Sequence, residues 1–171
     1  MTATIRIAEA ESNGDFQEAA QLMREFLSWV RNRYRDSPDM IDAYFDSATW
    51  EQDLASLHKE YSAPNGATLL AFRGNELAGC VAMRKLGSDI CEMKRLFVRD
   101  EYQKFGIGRR LCERLLQCAK DCGFQRMRLE TGDEQHEALA LYRSLGFHEI
   151  DAYYHHPPVL QPRVVFMEVT L

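Results

Sequence analysis

Apolar positions along this chain change their spacing several times, and each change marks an element. Thr4-Ile5-Arg6-Ile7-Ala8 alternates and reads as a first strand. From Asp15 to Tyr34 the residues Phe16, Ala19, Ala20, Met23, Phe26, Leu27 and Val30 recur at helical spacing, with Asp15 as the cap. Ser37-Pro38-Asp39 interrupts that pattern. A second helix is expected from about Ser47 to Glu60, with Trp50, Leu54 and Leu57 on one face. Pro64-Asn65-Gly66 predicts a turn. Ala67 to Phe72 and Leu77 to Leu86 flank Arg73-Gly74-Asn75-Glu76 and read as a hairpin. After Gly87-Ser88-Asp89 comes another strand, Ile90 to Val98.

The second half is punctuated differently. Gln103-Lys104-Phe105-Gly106-Ile107-Gly108 runs directly into a helix ending near Cys122-Gly123, with Ile107, Leu111, Leu115, Ala119 and Cys122 on its buried side. A strand from Arg126 to Glu130 precedes a helix from about Glu134 to Leu145, which Gly146 terminates. Phe147 to Ala152 and Val164 to Leu171 are the last two expected strands, separated by the Tyr153-Tyr154-His155-His156-Pro157-Pro158 loop. No repeat or linker interrupts the pattern, which describes one mixed α/β domain over residues 1–171.

Composition narrows the class. No apolar stretch reaches the roughly 18 residues of a membrane span, and the amino-terminal segment lacks the apolar core of a leader. Cys80, Cys91, Cys112, Cys118 and Cys122 are odd in number and include no Cys-x-x-Cys pair, which suits reduced thiols in a cytoplasmic protein without a metal site. A net charge of −5 argues against a nucleic-acid partner. The charge is uneven. Asp36 to Glu60 holds seven acids against the single base Lys59, whereas Lys94 to Arg128 holds ten bases against four acids. The first region suits a cation and the second a polyanion, unless both are only solvated helix faces.

A strand, a turn carrying Gly106 and Gly108, and a helix beginning at the turn form an anion site on physical grounds. Glycine lets the backbone approach a ligand, successive amides point the same way, and the helix N-terminus adds positive dipole. Lys104, Arg109 and Arg110 add charge. Gly-x-Gly alone marks only a tight turn. The dinucleotide fingerprint fails at Leu111, where its third glycine belongs, and no Gly-Lys-Ser/Thr follows. What remains is a diphosphate held by backbone amides.

Glu92-Met93-Lys94-Arg95-Leu96-Phe97-Val98 followed by Gln103-x-x-Gly106-x-Gly108 resembles the acyl-CoA signature of the GNAT acetyltransferase superfamily. Ala138-Leu139-Ala140-Leu141-Tyr142-Arg143-Ser144-Leu145-Gly146-Phe147 is similar to a second family motif, in the family's order. The resemblance covers nearly the whole chain. It implies a central, mostly antiparallel sheet of six to seven strands, splayed between the fourth and fifth and flanked by about four helices. It further implies acetyl-CoA as donor, its pyrophosphate on the amides of Lys104, Phe105, Gly106, Ile107, Gly108 and Arg109 after Gln103. The pantetheine arm would lie along the backbone of Leu96, Phe97 and Val98. Many members carry Asn where this chain has Gln135, so that contact is not carried over. Edge strands in such folds often pair into homodimers.

Acyl transfer to an amine needs a proton acceptor, since only the neutral amine attacks, and a donor for the developing oxyanion, for which the Val98 amide is the candidate. The departing thiolate gains from a proton. Tyr142 matches the family's general acid; its other reading is a core aromatic. Glu92 matches the position where some members place a general base; a solvent-facing strand residue is its other reading, and a water chain its rival. Glu130 or Asp133 could hold the substrate's ammonium. His155 and His156 border the expected acceptor pocket, yet also suit an ordinary loop. Trp29, Tyr34, Tyr44, Phe45 and Trp50, with the acids Asp39, Asp42 and Asp46, suit a cationic, partly apolar acceptor. The expectation is direct N-acetylation of a small or amino-acid-like amine without an acyl-cysteine, Cys91 being the thiol to check. Alternatives are an acyl-CoA-binding module without catalysis, O-acyl transfer, and a dinucleotide-dependent oxidoreductase fragment, which the missing glycine disfavours.

Overall fold

The computed structural model describes residues 3–171; Met1 and Thr2, part of the expected 1–171 domain, lie outside the described residues. Within the described residues seven strands form one sheet: β1 (Ile5–Glu9), β2 (Gly66–Arg73), β3 (Glu76–Lys85), β4 (Ile90–Val98), β5 (Arg126–Gly132), β6 (His148–Glu149) and β7 (Val164–Thr170), in the order β1-β2-β3-β4-β5-β7-β6. Every neighbouring pair is antiparallel except β4 and β5. Those two pair only at Ile90, Cys91 and Glu92 with Arg126, Met127 and Arg128. Beyond Glu92 they diverge, as the expected splay requires.

Among the described residues six helices flank the sheet: α1 (Asn13–Arg33), α2 (Pro38–Tyr44), α3 (Ser47–Ala55), α4 (Leu57–Glu60), α5 (Ile107–Asp121) and α6 (His136–Ser144). The expected four become six because the segment before β2 is divided. Pro38 occupies the first turn of α2, where its missing N–H costs nothing. The single helix expected over Ser47–Glu60 breaks at Ser56, whose amide turns back to the Asp53 carbonyl. Ser12, not Asp15, caps α1. Its hydroxyl accepts the Asp15 amide at 3.1 Å while the Asp15 carboxylate accepts the Ser12 amide at 2.8 Å, a reciprocal capping box.

Two apolar cores sandwich the sheet. Under α5 and α6 lie Leu69, Val81, Met83, Cys91, Met93, Leu111, Leu115, Met127 and Leu129. On the other face, Leu22, Met23, Phe26 and Val30 of α1 and Trp50 and Leu54 of α3 cover Leu70, Cys80 and Phe97. One irregularity in β4 matters for the site. Cys80 opposes Phe97 but Ala82 opposes Lys94, so Arg95 and Leu96 together face only Val81. The bulge gives Arg95 a φ of 60°, left-handed for a residue that is not glycine. Strand β6 is shorter than the expected Phe147–Ala152; past Ile150 the chain leaves the sheet edge and folds across its end.

Candidate active site

The loop between β4 and α5 is built as an anion cradle. Lys104 and Gly106 have φ of 71° and 73°, and Gly106 precedes the first turn of α5. A Cβ on Gly106 would meet no protein atom within 4 Å, so conformation rather than packing calls for glycine there. Among the described residues, the backbone amides from Lys104 through Arg109 find no acceptor; the next, Arg110, bonds the Gly106 carbonyl at 3.1 Å. Unbonded amides at a helix N-terminus favour an anion. The Gln103 side chain ties the loop to its strand, donating to the Val98 carbonyl at 3.3 Å and Asp100 at 2.9 Å. Arg109 leans toward α6, donating to the Ser144 hydroxyl at 2.6 Å. Arg73 stacks on the exposed Phe105 ring. Past Glu92, the β5-facing edge of β4, including Leu96, Phe97 and Val98, has no strand partner.

On the other side of the splay lies a cavity of about 430 Å³, walled by α1, α2 and α3, the diverging ends of β4 and β5, and the loop after β6. Tyr142 lines it from α6. Its ring is buried against Phe147, and its hydroxyl has no hydrogen-bond partner among the described residues. Burial pushes this phenol well above its ordinary value of 10.

Glu92 is fully buried and does not line the cavity. Its Oε1 accepts from the Tyr153 hydroxyl at 3.0 Å; its Oε2 accepts from the Tyr154 hydroxyl at 2.9 Å and from Arg84 Nε at 3.2 Å. The reading of Glu92 as a solvent-facing strand residue is therefore corrected: the Tyr153–Tyr154 loop covers this carboxylate, and Tyr154, which does line the cavity, stands between the two. Burial, with Glu92 beside it, pushes the Tyr154 phenol up to about 12. Glu130 also has an almost fully buried side chain and a full set of partners. Tyr44 donates to Oε1 at 2.8 Å, Lys94 Nζ lies 3.3 Å from the same oxygen, and His156 Nε2 lies 2.7 Å from Oε2. Lys94 Nζ is also 3.6 Å from Glu92 Oε1, so one ammonium bridges two carboxylates across the opening strands. Burial and then Glu130 hold the Tyr44 phenol well above its ordinary value.

Other expected residues fall in several places. His155, His156 and Gln135 line the cavity, as do Tyr34, Tyr44, Phe45 and Trp50; Trp29 does not. The acidic run does not form a wall. Asp39 is exposed, Asp42 is exposed and faces Arg31 at 3.4 Å, and Asp46 reaches only the rim, where it caps α3 through the Ala48 amide. The reason is the face that α2 buries, Met40 and Ile41, which leaves its carboxylates to solvent. Asp133 is bound by Arg163 at 2.6 Å and lies outside the cavity. Cys91 is sealed in the core under α5, where burial pushes its thiol up to about 12. Arg84, Lys94, Arg95, Tyr153 and Tyr154 were not singled out for a site role from the sequence; charges on otherwise apolar strands were the signal for the three cations, and the two tyrosines lie in a loop.

Comparison with known proteins agrees with this geometry. The Acetyltransferase (GNAT) family matches residues 24–147. An N-acetyltransferase of Schizosaccharomyces pombe is 36% identical over 123 residues, 71% of this chain and 74% of that protein. The IAA acetyltransferase of Azospirillum brasilense is 35% identical over 120 residues, 70% of this chain and 74% of its own. The crystal structure of the PaiA N-acetyltransferase from Thermoplasma acidophilum in complex with coenzyme A superposes with a TM-score of 0.70 at 19% identity, covering 98% of this chain and 99% of that one. With the splayed sheet, the amide-lined loop and the family match over most of its length, the chain belongs to the GNAT acetyltransferase family.

Proposed function

We propose that the protein moves an acetyl group from acetyl-CoA directly to the amine of a small acceptor. The observation that carries this reading is the convergence of three features on one opening: the unbonded amides from Lys104 to Arg109, the unpaired edge of β4, and the Tyr142 hydroxyl. The amides suit the pyrophosphate of the donor, with the dipole of α5 behind them. The edge at Leu96, Phe97 and Val98 suits an extended pantetheine arm, which can pair as a strand would. A cavity of about 430 Å³ suits a small acceptor.

In this reading Tyr142 is the general acid. Its raised pKa keeps the phenol protonated at neutral pH, ready to give its proton to the departing thiolate sulfur. Glu92 takes the acceptor's proton indirectly. The amine's proton passes to the Tyr154 oxygen as Tyr154 gives its own to Glu92 Oε2. Arg84 Nη2, 3.3 Å from the Tyr154 oxygen, holds that hydroxyl in place. Five free thiols fit a reducing, cytoplasmic setting.

The test is thermal unfolding with acetyl-CoA, CoA and NADH, followed by CoA release with a panel of amines. Ligand at about 100 times its Kd adds roughly 2.7 kcal/mol, a rise in Tm of about 5–11 °C for a domain of this size. A shift with acetyl-CoA but not NADH, and turnover that Tyr142→Phe lowers by about 100-fold, are expected. Binding without turnover on any amine would make the protein an acyl-CoA-binding module instead.

A further inference from the structure

Four cations line the cavity: Arg84, Lys94, Arg95 and Arg163. Three are matched by carboxylates. Arg84 faces Glu92 at 3.2 Å and Glu60 at 3.3 Å, Lys94 faces Glu130 and Glu92, and Arg163 is held by Asp133 and Glu134 at 2.6 Å each. Arg95 is different. Half-buried at the bulge of β4, it forms no ion pair with any described residue. Its guanidinium lies 4.8 Å from the Trp50 ring centroid and 5.5 Å from that of Tyr61, and its one hydrogen-bonding contact is the Met23 sulfur at 3.5 Å. Stacking on two rings orients the planar fork without neutralising it. The left-handed backbone at Arg95 is unfavourable for a side chain of this kind, and it turns the guanidinium into the cavity rather than away from it.

The acids that line the cavity do not answer this charge. Glu130 is already saturated by Tyr44, Lys94 and His156. Asp46 and Asp53 are exposed at the rim. A half-buried cation without a counter-ion becomes a binding determinant when a ligand supplies the anion. Around it the walls are apolar and aromatic: Phe26, Met40, Ile41, Phe45, Trp50 and Tyr61.

We propose that Arg95 anchors a carboxylate of the acceptor, so that the acceptor is an amine bearing both a carboxylate and an apolar or aromatic body, the amino-acid class, rather than a simple amine or polyamine. This rests on the acetyl-transfer reading for its chemistry but on Arg95 alone for its recognition.

The experiment uses three probes of one shape: phenylalanine, phenylalaninamide and phenethylamine. For the wild type, kcat/KM with the acid should exceed that with the amide and the decarboxylated amine by about 10- to 100-fold, the range of a charge-assisted pair. Arg95→Gln should bring the three within about threefold of one another, chiefly by lowering kcat/KM for phenylalanine. Equal use of acid and amide by the wild type, or a preference that survives in Arg95→Gln, would overturn the anchor. Calorimetric binding of phenylalanine in the presence of CoA separates the two readings. If no probe is acetylated but phenylalanine binds the wild type and not Arg95→Gln, the transfer reading fails and the anchor stands. Absence of binding and turnover with the acid, beside turnover of the amine, removes the anchor and leaves transfer intact.

Discussion

His156 Nε2 lies 2.7 Å from Glu130 Oε2, so the loop after β6 is fastened to β5 at the point where the sheet opens. Glu130 accepts from three elements at once: Tyr44 of α2, Lys94 of β4 and this histidine. The helical wall of the cavity, the sheet and the loop therefore share one carboxylate. Glu130→Gln should cost about 3 kcal/mol, because Lys94 loses half its compensation in a buried setting. The expected fall in Tm is about 6–12 °C, read by calorimetry, with the acceptor KM raised more than that of acetyl-CoA. A Tm within about 2 °C of the wild type would remove Glu130 from that structural role.

Tyr142→Phe deletes one oxygen from a ring that stays packed against Phe147. The kcat should fall by about 100-fold, within the range for loss of a general acid, while the acetyl-CoA Kd and Tm stay nearly constant. Steady-state kinetics beside a binding isotherm checks this.

Glu92→Gln separates a proton-accepting role from a structural one by its pH profile. Without the carboxylate, transfer depends on amine already deprotonated in solution, so the variant's log rate should climb with a slope near 1 toward the amine's pKa of about 10. A variant slowed by the same factor at every pH would point to packing alone.

Burial pushes the thiols of Cys80, Cys91 and Cys112 up to about 12, and those of Cys118 and Cys122 also upward; only Cys122 is exposed. Iodoacetamide at pH 7.5 should therefore add slowly, at Cys122, in the native protein and at all five sites in denaturant, by intact mass. Acetyl transfer should be unaffected by the native label, since no acyl-cysteine takes part in the proposed route.

Arg99 grips Glu25 with two hydrogen bonds, 2.8 and 2.9 Å, and this holds the Glu25 carboxyl below its ordinary value of 4.5. A depressed native pKa means the pair's stabilisation is complete above the unfolded value and disappears as pH falls through the native one. Wild-type Tm should drop between pH 5 and pH 3, and Glu25→Gln should lie lower at pH 7 but lose less over the same interval. Parallel melting curves for the two proteins would contradict that assignment.

Much of the fold was legible because turn chemistry and apolar spacing act locally. Gly106 and Gly108, the Pro64-Asn65-Gly66 turn and the run before Cys122 each state their conformation within a few residues. Strand β4 was legible as an element but not as a surface. Simple alternation assigns Arg95 to the same face as Met93, and no local signal announces a left-handed arginine. The covering of Glu92 was equally hidden, since it needs Tyr153 and Tyr154, about sixty positions away, to fold back over the strand. Pro38 reads as a break by composition yet begins a helix, because a proline at the first turn and a proline after the last look alike in sequence.

The bulge in β4 also sets which kinds of sequence change this protein can survive. Cys91 and Met93 belong to the core under α5, and beyond the bulge Leu96 and Val98 pack there too, while Phe97 belongs to the opposite core. The extra residue is thus a phase shift: removing one codon at Arg95 would invert Leu96, Phe97 and Val98 together. That stretch should tolerate substitution far better than loss or gain of a residue, whereas the turns at Gly74 and Gly87 can change length without inverting anything. Divergence among relatives is then expected to proceed here by exchange of side chains at constant length rather than by altering the course of the strand.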